Sequence, residues 1–394
     1  MHRAYFDHNA TTPVDPDVLT AMLPYFSAEY GNPNSVHSFG QSARGAVERA
    51  RASVAALIGA RPSEIVFTSG GTEADNLAIF GVAANSPEPA GGRARHIVTT
   101  TIEHHAVLNS CHALERRGVA VTRVPVGRDG VVDPDDIRRA LRPETVLVTV
   151  MHANNELGTL QPIEAIGRVA LDAGVRLHTD AVQSAGKVAL DVGQMGVDLM
   201  SLSAHKFYGP KGVGALFVRK GVQLEPLLYG SRGEGGRRAG TENVSGIVGL
   251  GKAAEVALEC LNEQSARVTV LRDRLEQGLL ARISGARVNG GAAKRLPNTC
   301  NITCPDVESE SLVIALDLRG VACSAGAACL SGAVDPSHVL AAIGLSPAEA
   351  RGSIRLSLGR STTDRDVALA LDAIPEAVAR QRDLSARRET VTRA

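Results

Sequence analysis

The 394-residue chain has no tryptophan, and aromatic residues make up only 3% of it. Proteins that grip single-stranded nucleic acid stack its bases on aromatic faces, so this composition argues against that role. An excess of one charge is lacking too: Lys plus Arg and Asp plus Glu both number 42, a formal net charge of zero. No global field therefore draws the chain to nucleic acid or to an anionic membrane. No segment approaches the roughly 20 uninterrupted apolar residues of a membrane-spanning helix. The opening MHRAYFDHNATTP also lacks the apolar stretch of a signal peptide. The expectation is a soluble, cytoplasmic protein with no membrane partner and no direct nucleic-acid partner. The six cysteines (Cys111, Cys260, Cys300, Cys304, Cys323 and Cys329) contain no C-x-x-C pair. They read as thiols in a reducing compartment and not as a disulfide framework. Cys111 and Cys260, among apolar helical neighbours, read as small core residues.

Hydrophobic residues are plentiful at 44%, enough for a large core and more than one domain. Short β-rich runs recur at Glu64–Thr68, His96–Thr100, Ala120–Val124, Val146–Met151, Val175–His178, Leu199–Ser203 and Gly214–Val218. Several are almost wholly apolar, as strands covered on both faces should be. Helical patterns such as Ser42–Leu57, His105–Arg117 and Ile163–Ala173 lie between them. The alternation predicts an α/β domain with a mainly parallel sheet. After Thr241 the texture changes. Val244–Ile283 reads as one long helix, and beyond Asn298 come two short strands, a helix, a small-residue loop, another helix and the strand Ile354–Leu358. This predicts a large domain over residues 15–255 and a smaller α+β domain formed by 1–14 and 256–394. The charged tail after Gln381 is expected to fray.

Four local signals fall where strands end, the edge at which open α/β sheets bind ligands. In Thr68-Ser-Gly-Gly-Thr-Glu-Ala-Asp-Asn76 a helix is expected from about Glu73, and its first N–H groups with the Thr72 hydroxyl suit a phosphate. The competing reading is an ordinary helix capped by Ser or Thr. In His178-Thr-Asp-Ala-Val-Gln183, Asp180 suits a protonated pyridine nitrogen, with Gln183 facing the same space; a plain N-cap aspartate competes. In Ser203-Ala-His-Lys206, the lysine is badly placed for a solvated charge and well placed to form a Schiff base, with Ser203 and His205 beside it. A surface lysine in a turn is the alternative, and Lys211 reads as one. In Thr101-Ile-Glu-His-His105, His104 can stack on a ring or exchange protons. No third ligand stands at metal-like spacing, so no metal site is expected.

Cys323-Ser-Ala-Gly-Ala-Ala-Cys329-Leu-Ser-Gly332 is built almost entirely of Ala, Gly, Ser and Cys. Such a strip offers few anchors to a core and can carry a thiol into a pocket; an incidental Cys in a small-residue turn competes with that reading. Cys323 reads as a spectator or an alternative thiol. Arg355, in the alternating strand Ser353-Ile-Arg-Leu-Ser-Leu-Gly359, is shaped to grip a carboxylate, against the simpler reading of a solvated arginine. Arg360 could do the same, but the glycine before it predicts a more exposed position.

Taken together, Tyr5-Phe-Asp-His-Asn-Ala-Thr-Thr-Pro13, Gly31-Asn-Pro-Asn-Ser35, Ser69–Asn76, Ile102-Glu-His-His105, His152-Ala-Asn-Asn-Glu-Leu-Gly158, His178–Gln183, Ser203–Phe207, Arg237-Arg-Ala-Gly-Thr-Glu-Asn243, the cysteine loop and Ile354–Arg360 stand in one order. In that order the chain resembles the NifS/IscS-like cysteine desulfurases, class V aminotransferases of the fold-type I pyridoxal-phosphate (PLP) enzymes, from Tyr5 to about Val378. The resemblance implies a PLP-dependent transferase fold with a mostly parallel seven-stranded sheet, and a homodimer. It implies that Lys206 carries PLP, Asp180 pairs with its ring nitrogen and His104 stacks on the ring. Gln183 and Asn155 would address the ring hydroxyl, while Gly71, Thr72, Ser203 and His205 hold the phosphate with Thr241 of a second subunit. Arg355, with Asn34 nearby, would bind the L-cysteine carboxylate. Cys329 would take the sulfur as a persulfide and pass it to an acceptor protein, in iron–sulfur cluster assembly, tRNA thiolation or DNA phosphorothioation. A selenocysteine lyase, or another class V lyase or aminotransferase, is the alternative. The chain departs from the family's usual pattern at Cys323 and Leu330 in the loop and at Gly233.

Overall fold

The computed structural model describes residues 2–87, 92–231, 233–325 and 337–392. Seven strands form the main sheet: β1 (Ile65–Thr68), β2 (His96–Thr100), β3 (Ala120–Val124), β4 (Thr145–Thr149), β5 (Arg176–Asp180), β6 (Leu199–Ser203) and β7 (Gly214–Val218). Their order is β1-β7-β6-β5-β4-β2-β3. The pairs β2–β3, β2–β4, β4–β5 and β5–β6 are parallel, and β7 runs antiparallel to β1 and β6. Each expected strand is present, shifted by at most two residues at an end. Strands β1, β2, β6 and β7 are buried along their whole length, the physical reason the apolar residues of β1 and β7 run without alternation.

Helix Ser38–Leu57 packs along Val244–Arg282 on one side of the sheet. A Cβ on Gly251 would lie 2.5 Å from the Ala50 Cα, so glycine there permits the close crossing. Helix Gly71–Asn85, with His105–Glu115, covers the other face through Leu77, Ile79, Val107 and Leu114. The 39-residue helix Val244–Arg282 then joins two cores. Its early residues Ile247, Leu250 and Ala254 belong to the main one, whereas Val268, Leu271, Leu275 and Leu279 belong to a second, with Phe6, Ile302 and Ile354. Cys260 lies between those stretches and is half-buried, unlike fully buried Cys111.

The second core backs a four-stranded antiparallel sheet of Ser324–Ala325, Ser353–Ser357, Thr299–Thr303 and Arg287–Val288. The N-terminal strand Ala4–Tyr5 pairs in parallel with Val321–Ala322, which ties residues far apart in sequence to this body. The tail corrects an expectation: instead of fraying after Gln381, helix Asp364–Thr392 continues. Arg382 holds it by donating to the carbonyls of Pro305 and Ser284. Among the described residues no helix is long and apolar enough to cross a membrane.

Candidate active site

The carboxyl ends of β1, β4, β5 and β6 open on one cavity of about 240 Å³. Its walls bring together Gly71, Thr72, His104, Asn155, Asp180, Gln183, Ser203, His205 and Lys206, all expected from the sequence, and add Asp75, Met151 and Val182.

Lys206 sits in the turn Ala204–Lys206, immediately after β6. Its Nζ donates to the carbonyls of Asn9 at 2.6 Å and Ala10 at 2.8 Å. Burial, followed by the positive charge of Arg355, brings its pKa down to about 8. A solvated turn lysine would show neither feature; Lys211, which is exposed, is the surface one. Near neutrality more of this amine is therefore unprotonated than in a solvated lysine.

Asp180 ends β5 and is buried, with Oδ1 accepting from the Val182 N–H at 2.9 Å. Burial raises its pKa, opposed by His104 and Lys206. Beneath it Asp75, 1% exposed, is raised well above the ordinary carboxylate range by burial and then by Asp180 itself. Two carboxylates so enclosed do not both ionise. Asp75 is pushed further toward its protonated form than Asp180, so Asp180, which faces the cavity, is the more acidic of the two. His178 adds no charge: it is buried, its Nδ1 and Nε2 meet the hydroxyls of Thr149 and Ser201, and burial takes its pKa to about 3. In the sequence Asp75 stands within the motif Ser69–Asn76 with no role of its own. Its position four residues after Gly71, on the same helix face, was the signal.

Helix Gly71–Asn85 starts two residues earlier than expected, with Gly70 as N-cap and no side-chain cap bond. The Ser/Thr-capped reading is thereby removed. Open first-turn N–H groups face the cavity, a ready anion site. A Cβ on Gly71 would come within 2.7 Å of Val182 Cγ2, so glycine keeps this cradle free. His205 Nδ1 meets the Thr11 hydroxyl at 3.1 Å, and burial, then Lys206, lowers its pKa to about 4. It is a neutral hydrogen-bonding ring at this end of the cavity.

His104 caps helix His105–Glu115 by accepting the Ala106 N–H at Nδ1, 3.1 Å away. That bond places the proton of the neutral ring on Nε2. Burial lowers its pKa although Asp180 opposes this.

Arg355 is not the solvated residue that its strand allows; its side chain is 12% exposed. Nη2 donates to Asp7 Oδ1 at 2.7 Å and Ser324 Oγ at 2.9 Å, and Nη1 to the Asn155 carbonyl at 3.2 Å, while buried Nε has no partner. Arg360, expected to be more exposed, is partly buried and lies over the Tyr208 ring at 4.4 Å, near Asp15. Asn34 and Thr241 do not line this cavity. Both are exposed, and Asn34 donates to Glu242 at 3.1 Å in a separate groove. Cys323 is buried, and burial, then Asp7, raises its thiol to about 12, far from nucleophilic. Cys329 lies outside the described residues. Among the described residues no cluster of His, Cys, Asp and Glu could hold a metal ion.

The donor set fits PLP: a reactive amine, an anion for the ring nitrogen and an open helix start for the phosphate share one cavity. The aminotransferase class-V family model matches residues 4–369. A cysteine desulfurase IscS of Dictyoglomus turgidum is 47% identical over 97% of this chain and 96% of its own length. A cysteine desulfurase of Nostoc sp. is 50% identical over 98% and 95%. Among solved structures, a NifS-like protein superposes with a TM-score of 0.88 at 40% identity, covering 96% of this chain and 99% of that one. The structure titled SspA in complex with cysteine matches at a TM-score of 0.80 and 42% identity, over 90% and 98%.

Proposed function

The chain belongs to the aminotransferase class-V family, and from that premise we propose how its own residues perform the reaction of a PLP-dependent cysteine desulfurase, which removes sulfur from L-cysteine and releases L-alanine. The carrying observation is that the amine of Lys206, the carboxylate of Asp180 and the uncapped helix start at Gly71 face one another across a single cavity. PLP bound there supplies an electron-withdrawing ring that stabilises negative charge at the substrate Cα.

Lys206 would hold the cofactor through Nζ and would serve as the base that takes the substrate Cα proton. Asp180 keeps a proton on the ring nitrogen. The first-turn N–H groups at Gly71 and Thr72, with Ser203, His205 and a partner's Thr241, hold the phosphate. His104 would lie against the ring with Nε2–H as its donor, Gln183 and Asn155 would address the ring hydroxyl, and Arg355 would take the substrate carboxylate. The Cys329 thiolate attacks the substrate sulfur; an S–S bond forms, the C–S bond breaks, and its electron pair stays with the three-carbon product. Reprotonation of that product gives alanine, and the sulfur remains as a persulfide on Cys329 for an acceptor protein.

A homodimer in the cytoplasm is part of this proposal. Leu23, Phe26, Tyr30, Val36 and Phe39 are exposed large apolar side chains on one stretch of chain, and such patches mark association surfaces. Asn34 lies within that stretch and is bonded to Glu242, the neighbour of Thr241. This supports assigning Asn34 and Thr241 to the partner's cavity.

The test is direct. PLP-loaded protein given L-cysteine and a thiol reductant should form alanine and sulfide in equal amounts. Cys329→Ala should still bind PLP yet form neither, and Lys206→Ala should lose the visible absorbance of bound cofactor. Alanine formation at the normal rate by Cys329→Ala would overturn the persulfide step.

A further inference from the structure

The turn that follows β5 carries a second lysine that the reaction as described leaves without a task. Backbone bonds from Ser184 and Ala185 to Ala181, and from Lys187 and Val188 to Ser184, wind residues 181–188 into short helical turns. Gln183 and Lys187 stand four apart there, the spacing that places side chains together. Lys187 Nζ donates to Gln183 Oε1 at 3.0 Å and approaches Asn9 Oδ1 at 3.4 Å. The Ser265 hydroxyl, on the long helix, holds the Lys187 carbonyl at 2.7 Å.

This contact decides which end of the Gln183 amide is free. With Oε1 engaged by Lys187, the amide turns Nε2 the other way, where it donates one hydrogen to the Asn9 carbonyl at 2.9 Å. The same carbonyl accepts from Lys206 Nζ at 2.6 Å. An amide nitrogen has two hydrogens, and Gln183 lines the cavity, so the second is a donor for an acceptor held there. Without Lys187 only the bond to the Asn9 carbonyl opposes a flip that presents an oxygen lone pair instead.

We propose that Lys187 is a positioning residue: through Gln183 it fixes a hydrogen-bond donor, backed by a cationic group, toward the ring hydroxyl oxygen of the cofactor. This rests on the PLP reading of the cavity. Other charged or titratable groups facing Lys187 are Lys206, Arg355, His205 and His8, the last neutral and buried with neither ring nitrogen partnered. Burial, then Lys206 and Arg355, brings the Lys187 pKa down to about 7. Positive charge at this point is costly, and an anionic oxygen held beside it would offset that cost.

A donor and positive charge at that oxygen stabilise its deprotonated form, so their loss should make the bound cofactor hold its proton to higher pH. The measurement is the pH titration of the visible absorbance of PLP bound at Lys206, together with PLP affinity by equilibrium dialysis. Lys187→Met should raise the titration midpoint by about 0.5–1 pH unit and weaken PLP binding roughly 3- to 10-fold. Lys187→Arg, which keeps the charge and donor, should return both toward the parent values. In a Gln183→Leu background, adding Lys187→Met should move neither quantity further. Parent-like midpoint and affinity in Lys187→Met overturn the proposal, as does a full additive shift in the double variant. A parent protein that takes up no PLP overturns the cofactor reading as well, and so the two failures are told apart.

Discussion

Arg355 and Asp7 form an ion pair of 2.7 Å between the strand Ser353–Ser357 and the N-terminal segment. With Ser324 on the same nitrogen and the Asn155 carbonyl on the other, the guanidinium is held in a fixed plane. A substrate carboxylate bound as proposed would meet a pre-set fork and not a swinging side chain. Arg355→Lys removes the fork and keeps the charge. The KM for cysteine should rise about 10- to 100-fold, a loss of roughly 1.4–2.8 kcal/mol, with the absorbance of bound PLP unchanged. A parent-like KM in steady-state kinetics would remove Arg355 from substrate binding.

Gly71→Ala tests the anion cradle. The added Cβ would lie 2.7 Å from Val182 Cγ2, and valine has little rotamer freedom with which to retreat. Either Val182 enters the cavity or the helix start moves away from it. PLP affinity should fall about 10-fold, read by dialysis, while the melting temperature of the PLP-free protein changes little.

Glu103 gives a pH prediction. It is fully buried, accepts from the Thr100 hydroxyl at 2.6 Å and the Met151 N–H at 2.9 Å, and burial lifts its pKa from 4.5 to about 8. A carboxyl with a higher pKa folded than unfolded takes up a proton on folding. Its contribution to stability is intact below pH 4.5 and is lost as pH rises toward 8. Glu103→Gln cannot ionise. Its melting temperature relative to the parent should therefore climb across that window, by several degrees between about pH 5 and about pH 9. A constant difference across thermal melts would show Glu103 ionised throughout.

Thr241 tests the shared site. Thr241→Val should weaken PLP binding roughly 3- to 10-fold, the loss of one hydrogen bond. Mixed dimers with Lys206→Ala subunits should regain parent affinity in half their sites, since the Lys206→Ala subunit supplies an intact Thr241 to its neighbour. Absence of recovery on mixing would place Thr241 outside the partner's cavity.

Element identity was legible because it is local. Apolar runs punctuated by glycine located each strand of the main sheet within two residues, and the residues just past them, from Gly71 to Lys206, do line one cavity. The start of helix Gly71–Asn85 was missed because glycines 70 and 71 resemble a loop, and the tail helix because its charged face resembles a solvated coil.

From the sequence alone came the strand order along the chain, the motif set and the candidate amine, carboxylate and thiol. Only the tertiary structure decided which charges those groups carry and what holds them. Asp75 is pushed toward its protonated form by burial and then by Asp180, Lys206 leans on carbonyls of Asn9 and Ala10 nearly 200 positions away, and Arg355 is set by Asp7. Periodicity is a property of neighbours in sequence, whereas pKa and orientation depend on burial and on neighbours in space, which no short stretch of chain contains.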